Sequence, residues 1–196
     1  MHKKTDDNIG PVGIFSYQGN AGVTHLALMT ASYFSSKKGR NVWYLELGNQ
    51  YTIERMVTTV NGRYMGKNGE FIADRIRFFP NVSVEKALEL LKKAPEVVII
   101  DFGKMTPDKI RVLILCEKRI LVSNLSLWKQ EEFLDIVTEK IKGPGKLWTR
   151  HVCFFGKGNI RLVSKRIKEK IEGLREADVP FYLKKEQADQ ILKLLR

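Results

Sequence analysis

The sequence predicts an α/β protein: a mostly parallel, twisted sheet with helices on both faces, arranged as three layers. Three observations carry this. Short apolar runs alternate with helix-period segments along nearly all of the 196 residues. The runs are continuously apolar, as strands covered on both faces must be. Strand–helix–strand order also implies parallel neighbours joined by crossovers. No internal repeat, low-complexity stretch or linker interrupts the pattern, so residues 1–196 are expected to form one domain.

Each element follows from its own residues. Val12-Gly-Ile-Phe-Ser16 reads as a buried strand, and 19–22 as a loop. A helix over 24–37 places Leu26, Ala27, Thr30, Ala31 and Phe34 on one face, with Gly39 as its C-cap. Val42-Trp-Tyr-Leu-Glu-Leu47 is a second strand. Residues 50–60 look helical, and the Gly- and Asn-rich 61–70 reads as a loop or hairpin. A short strand at 75–79 precedes a helix from the Ser83 cap to Lys93. The apolar run at 96–102 is a strand, and a helix near 107–115 leads to a strand at 119–124. A long helix is expected over 126–142, broken by Gly143-Pro-Gly145. Then come a strand at 151–155, a helix over 160–175, an extended piece at 179–183 and a closing helix at 186–195.

Composition narrows the function classes. Hydrophobic residues make up 43% and charged residues 29%, enough apolar material for a core, which excludes disorder as the main state. Runs such as Val97-Val-Ile-Ile100 are far too short to span a bilayer. The charged start has no apolar segment behind it, so no signal peptide is expected. Cys116 and Cys153 sit in apolar stretches without metal-ligand spacing, which predicts reduced, buried thiols in a cytoplasmic protein. The net charge is +12, and residues 139–196 hold 15 basic against 7 acidic residues. Such a field attracts nucleic acid, anionic lipid or an acidic protein, or serves as a solvated face.

In an open parallel sheet, ligands bind beyond the carboxyl ends of the strands. The first strand runs there into Gly19, Asn20, Ala21, Gly22, Val23, Thr24 and His25, then a helix. That is the layout of an anion cradle, built from backbone N–H groups and a helix N-terminus. A full phosphate loop needs Lys directly after Gly22, where this chain has Val23. His2, His25 and His151 are dispersed and form no metal-ligand arrangement, and no residue is assigned a catalytic role. Candidate metal ligands are Thr24, Glu46 and Asp101, each with a structural alternative: a helix cap, a partly buried ion pair, a turn carboxylate. Trp128 follows a strand on the loop side, where it could pack on a partner, although core packing is the default expectation.

Together these segments resemble the ParA/MinD family of deviant-P-loop ATPases, across nearly the whole chain. Val12-Gly-Ile-Phe-Ser-Tyr-Gln-Gly-Asn-Ala-Gly-Val-Thr-His25 looks like the family's first strand and loop, usually K-G-G-x-G-K-T-T. Lys37-Lys-Gly-Arg-Asn-Val-Trp-Tyr-Leu-Glu-Leu-Gly-Asn-Gln50 is similar to its second strand, and Glu96-Val-Val-Ile-Ile-Asp-Phe-Gly103 to its Walker B strand. Arg119-Ile-Leu-Val-Ser-Asn124 and Val179-Pro-Phe-Tyr182 resemble later segments. The resemblance implies a P-loop NTPase-like three-layer fold, ATP and magnesium as cofactors if the site works, and a homodimer.

The departures fall where the family's chemistry lies. Gln18 stands at the signature Lys that reaches a partner's nucleotide, Val23 at the loop Lys, and Gly48 at the second acidic position of the second strand. The adenine-reading Asn has no counterpart near Phe155-Gly-Lys-Gly158. The expected function is therefore a non-hydrolysing binding or localisation module of the partition, conjugation or pilus-positioning type. Two alternatives stand beside it. One is an active ATP hydrolase in which Lys104, Lys157 or Arg161 substitutes for the missing lysine. The other is a DNA- or membrane-surface binder acting through the basic C-terminal region, with Lys165, Arg166, Lys168 and Lys170 as its surface. The stripe Ala188, Ile191, Leu192 and Leu195 suits either a membrane-targeting tail or docking on its own domain, and docking is favoured.

Overall fold

A computed structural model describes residues 9–48, 53, 56, 63–64, 69–94, 97–142, 152–173 and 177–195, with backbone only at 63–64 and 152–155. In chain order the elements are β1 (Val12–Ser16), α1 (Val23–Ser32), β2 (Val42–Leu47), β3 (Arg63–Tyr64), β4 (Phe71–Ala73), β5 (Ile76–Val82), α2 (Val84–Leu91), β6 (Val97–Lys104), α3 (Ile110–Leu113), β7 (Lys118–Leu125), α4 (Gln130–Ile136), β8 (Val152–Gly158), α5 (Ile160–Ile167), β9 (Ile171–Gly173) and α6 (Lys185–Leu195). The helix expected at 50–60, the break at 143–145, His2, His151 and the Cys153 side chain lie outside the described residues.

Among the described residues the sheet has nine strands in the order β3-β4-β5-β2-β6-β1-β7-β8-β9. Only the β3–β4 and β4–β5 pairs are antiparallel, forming the hairpin that its Gly- and Asn-rich segment suggests. β1 lies between β6 and β7, every residue buried. The two faces of β6 sort the core. Val97 and Ile99 point toward α1 and α6, while Val98, Ile100 and Phe102 point toward α2 to α5. Helices thus cover both faces, which is why the strands read as unbroken apolar runs. Gly13 sits where a Cβ would come within 2.8 Å of Cys116 Sγ. That thiol is free and buried, and burial pushes it up to about 12, so it behaves as core.

Caps hold where their chemistry is explicit. Ser83 Oγ accepts from the Lys86 N–H at 3.2 Å and starts α2. Gly39, at φ +66, follows the wider turn Tyr33–Lys37 that extends α1. Three expectations need correction. The helix over 160–175 stops at Ile167, because Lys168 takes the left-handed conformation and Ile171 enters the sheet as β9 beside Phe154. The helix over 126–142 begins only at Gln130; residues 126–129 form a turn closed by Asn124 Oδ1 on the Ser126 N–H. Residues 179–183 are turn rather than strand. They are anchored where Phe181 packs on Phe78 and its carbonyl accepts from Ser32 Oγ.

The terminal helix answers the tail question. Ala188, Ile191, Leu194 and Leu195 of α6 are buried in the core beside α1, and Leu192 packs against the same cluster. The stripe docks on its own sheet, the favoured of the two expectations. No helix among the described residues is long and apolar enough to cross a membrane.

Candidate phosphate-loop site

The loop after β1 opens a cleft of about 460 Å³, lined by residues 18–25 with Gly103 and Lys104. Its shape is set by backbone geometry. Asn20 and Gly22 have positive φ, and Gly22, at +94, immediately precedes α1, where only glycine turns so at little cost. The Leu26 N–H donates to the Gly22 carbonyl, so the helix begins as the loop ends. The first residues of α1, where the helix dipole is positive, thus line the cleft.

The side chains do something different. Val23, where the resemblance implies the loop lysine, is 6% exposed and belongs to the core cluster of α1. Gln18 is buried and points inward. Its Oε1 accepts from the Asn124 N–H at 2.9 Å, and its Nε2 donates to the Lys129 carbonyl at 3.1 Å and to Glu132 at 3.4 Å. The residue at the signature-lysine position therefore ties β1 to the turn before α4. His25 lines the cleft, but its Nε2 accepts from the Ala177 N–H at 3.1 Å. Of the three candidate substitute cations, Lys104 lines the cleft; Lys157 and Arg161 do not.

Thr24, Glu46 and Asp101 do meet on one face. Asp101 and Glu46 are register partners on β6 and β2, and both are buried. The Asp101 carboxylate accepts from Tyr44 Oη at 3.0 Å, from the Gly103 N–H at 2.9 Å and from the Thr24 hydroxyl. Burial raises its pKa above the usual carboxylate range, and those three donors with Lys109 oppose the rise. The same burial, with Asp101 beside it, holds the Tyr44 hydroxyl well above its ordinary value. Among the described residues no three His, Cys, Asp or Glu side chains converge as a metal-ligand set. Within the chain the Asp101 carboxylate is thus bonded by protein donors, one of them the Thr24 hydroxyl.

Sequence reasoning missed Lys109. Its Nζ donates to the carbonyls of Leu47 at 2.9 Å, Phe102 at 2.6 Å and Lys104 at 3.1 Å, closing the carboxyl ends of β2 and β6. Burial lowers its pKa, and the Asp101 and Asp108 carboxylates oppose that. Gly48, where the resemblance implies an acidic residue, has φ +121, and a Cβ there would lie 3.3 Å from this ammonium. An internal cation thus sits beside the position of the missing carboxylate. Nothing in the run of residues near Pro107 signals this, because the lysine's partners come from two other strands.

Solved structures share this fold. The chain is similar to a ParA family ATPase from Chlorobium tepidum, at TM-score 0.59 and 12% identity over 95% of this chain and 90% of that one. It is also similar to the MinD cell division protein of Aquifex aeolicus, at 0.58 and 14% over 94% and 86%. A plasmid partition protein of Borrelia burgdorferi bound to AMPPNP matches at 0.65 and 12% over 95% and 98%. The chain has the ParA/MinD fold. No protein-family model and no curated protein matches the sequence. On the ParA/MinD fold the loop after β1 occupies the central switch point of the sheet, between β6 and β7.

The basic surface is partly spent. Lys165 and Arg166 are exposed on α5, but Arg166 pairs with Glu131 of α4. Lys168 is the left-handed residue that ends α5, and Lys170 pairs with Glu172. Two of the four cations therefore already have carboxylate partners. Trp128, expected in the core, is 88% exposed.

Proposed function

We propose that this ParA/MinD-fold protein is a non-hydrolysing binding and localisation module, of the partition, conjugation or pilus-positioning type. In this reading it is a cytoplasmic protein that acts through a protein partner and as a homodimer, with peripheral attachment at membrane or nucleoid. The observation that supports it is the inward burial of both residues at lysine positions, Val23 and Gln18. Phosphoryl transfer depends on positioning and charge stabilisation. Each charge-assisted contact to phosphate is worth about 1.5–3 kcal/mol, so losing two weakens nucleotide binding by a few orders of magnitude.

The test is thermal melting with millimolar ATP and magnesium, together with phosphate release. Melting is expected to move little and turnover to stay at background. Clear stabilisation by ATP, with phosphate release abolished by Asp101→Ala, overturns the reading. A second reading, an active nucleotide-binding ATPase, is favoured by Lys104, which lines the cleft and carries no ion pair among the described residues. If Lys104 substitutes for the loop lysine, ATP stabilises the wild type and Lys104→Gln removes that stabilisation.

A further inference from the structure

Among the described residues, the most exposed large apolar side chain lies on the turn that Gln18 of the phosphate loop bonds. Residues 126–129 connect β7 to α4, and their backbone is tightly held. The Ser126 carbonyl accepts from the N–H groups of Lys129 at 2.9 Å and Gln130 at 3.0 Å, and the Leu125 carbonyl accepts from Asn159 at 3.1 Å. Gln18 fastens the turn from the other side. On this fixed support Leu127 is 66% and Trp128 88% exposed. Leu162, 45% exposed, lies one helical turn before Arg166, the residue that pairs with Glu131 at the start of α4. Leu127 and Trp128 therefore stand exposed on the turn that leads into α4, and Leu162 is exposed in the first turn of the neighbouring α5.

The charge around them has one sign. Glu131 and Glu132 are neutralised by Arg166 and Lys129. Arg161 and Lys165 form no ion pair among the described residues, and Lys165 is three residues from Leu162 on the same helix side. Lys157, the penultimate residue of β8, is the register partner of Asn124. Arg161 and Lys165 thus lie on the helix whose start is bonded to the strand end that carries the exposed leucine and indole, and an exposed apolar pair beside cations normally marks an interaction site.

We propose that the Leu127–Trp128 turn is a membrane-contacting tip that enters the headgroup region of an anionic bilayer, with Arg161 and Lys165 on the lipid phosphates. Charge complementarity selects this occupant. Lipid phosphates supply the opposite charge to Arg161 and Lys165, and the net charge of +12 adds long-range attraction to an anionic surface. The tip is two adjacent side chains on a turn, and a bilayer accepts it without a matching pocket, while indole favours the membrane–water boundary. Two inserted side chains and a few cations give weak, reversible attachment, comparable to a single lipid anchor. This names a surface for the localisation half of the proposed function and rests on that half alone. The test contains no nucleotide, so its failure is separate from any failure of the phosphate-loop reading.

The experiment measures binding of the full chain to phosphatidylcholine vesicles with and without phosphatidylglycerol, alongside immobilised polyglutamate. Binding is expected on the anionic vesicles only. Tryptophan emission should shift to the blue and be quenched by brominated acyl chains. Trp128→Ser should lower partitioning at least tenfold, and Leu127→Ser less. Arg161→Gln and Lys165→Gln should each cost about fivefold, the equivalent of about 1 kcal/mol per cation near an anionic surface. Trp128 is on the surface, so its variant keeps the wild-type melting temperature. No vesicle binding at physiological salt, or a Trp128→Ser protein that binds like wild type, overturns the proposal. Binding to polyglutamate that depends on the cations and exceeds vesicle binding also overturns it, and assigns the edge to an acidic protein.

Discussion

Replacing Lys109 by Met tests whether an internal cation has taken over the edge of the sheet. The substitution keeps most of the side-chain volume and removes three donors, leaving the carbonyls of Leu47, Phe102 and Lys104 without the ammonium. A hydrogen bond to a charged group contributes about 1.5–3 kcal/mol, yet three such terms do not add, because the lysine is only half buried and regains solvation on unfolding. The Lys104 bond is exposed, and water can replace it. That leaves the two part-buried carbonyls, with a net loss of about 2 kcal/mol. For a chain of this length it corresponds to a fall of about 4–8 °C in melting temperature. Lys109 also lines a cleft of about 270 Å³ with Gly48 and Ser83 at its rim. Methylammonium can enter that opening, so it should restore part of the loss in Lys109→Met and leave the wild type unchanged. Calorimetry reads both effects. A Lys109→Met protein melting with the wild type would refute the clamp, and a loss untouched by methylammonium would show that the lysine stem, not its charge, was stabilising.

Two further outcomes follow from the loop and the buried carboxylate. Val23→Lys should lower the melting temperature by a few degrees, since part of a buried valine's contribution of about 1.5–3 kcal/mol is lost, while giving ATP a measurable stabilising effect through the intact backbone cradle; a folded variant indifferent to ATP means the adenine side is also gone. Asp101 has a raised folded pKa, so the native state binds its proton more readily than the unfolded chain, and the ionised form costs stability at neutral pH. Asp101→Asn should therefore melt at or above wild type at neutral pH, with the advantage shrinking as pH falls through the raised value toward the unfolded one; an advantage independent of pH would sink this account.

Much of the fold could be read from the chain because its signals were local. β1 and β6 are buried on both faces and read as unbroken apolar runs. Ser83 caps α2 through a contact three residues away. The misreadings share a cause. Val163, Ile167 and Ile171 recur at helical spacing, and a strand starting at Ile171 satisfies the same burial once Lys168 turns the chain. The helix expected from residue 126 starts late, because Asn124 Oδ1 accepts from the Ser126 N–H and holds a turn there first. At the site, the replaced residues were visible and their new roles were not. Gln18 meets Lys129 across 111 residues and Lys109 meets Leu47 across 62, distances no local pattern reports.

Those two long-range contacts bear on what the carboxyl edge can do. A loop that responds to a bound phosphate needs groups free to exchange partners, since a ligand shifts a conformational equilibrium only through different contacts in its two states. Here the side chain of Gln18 is taken by Asn124, Lys129 and Glu132, and the ammonium of Lys109 by three carbonyls. The contacts that would distinguish two states are already made within the chain. Gln18 bonds the same turn that carries Leu127 and Trp128, so the bonds that fill the signature-lysine position also hold the exposed indole in place. An edge built this way presents its tip in one fixed arrangement, which suits attachment without a nucleotide cycle.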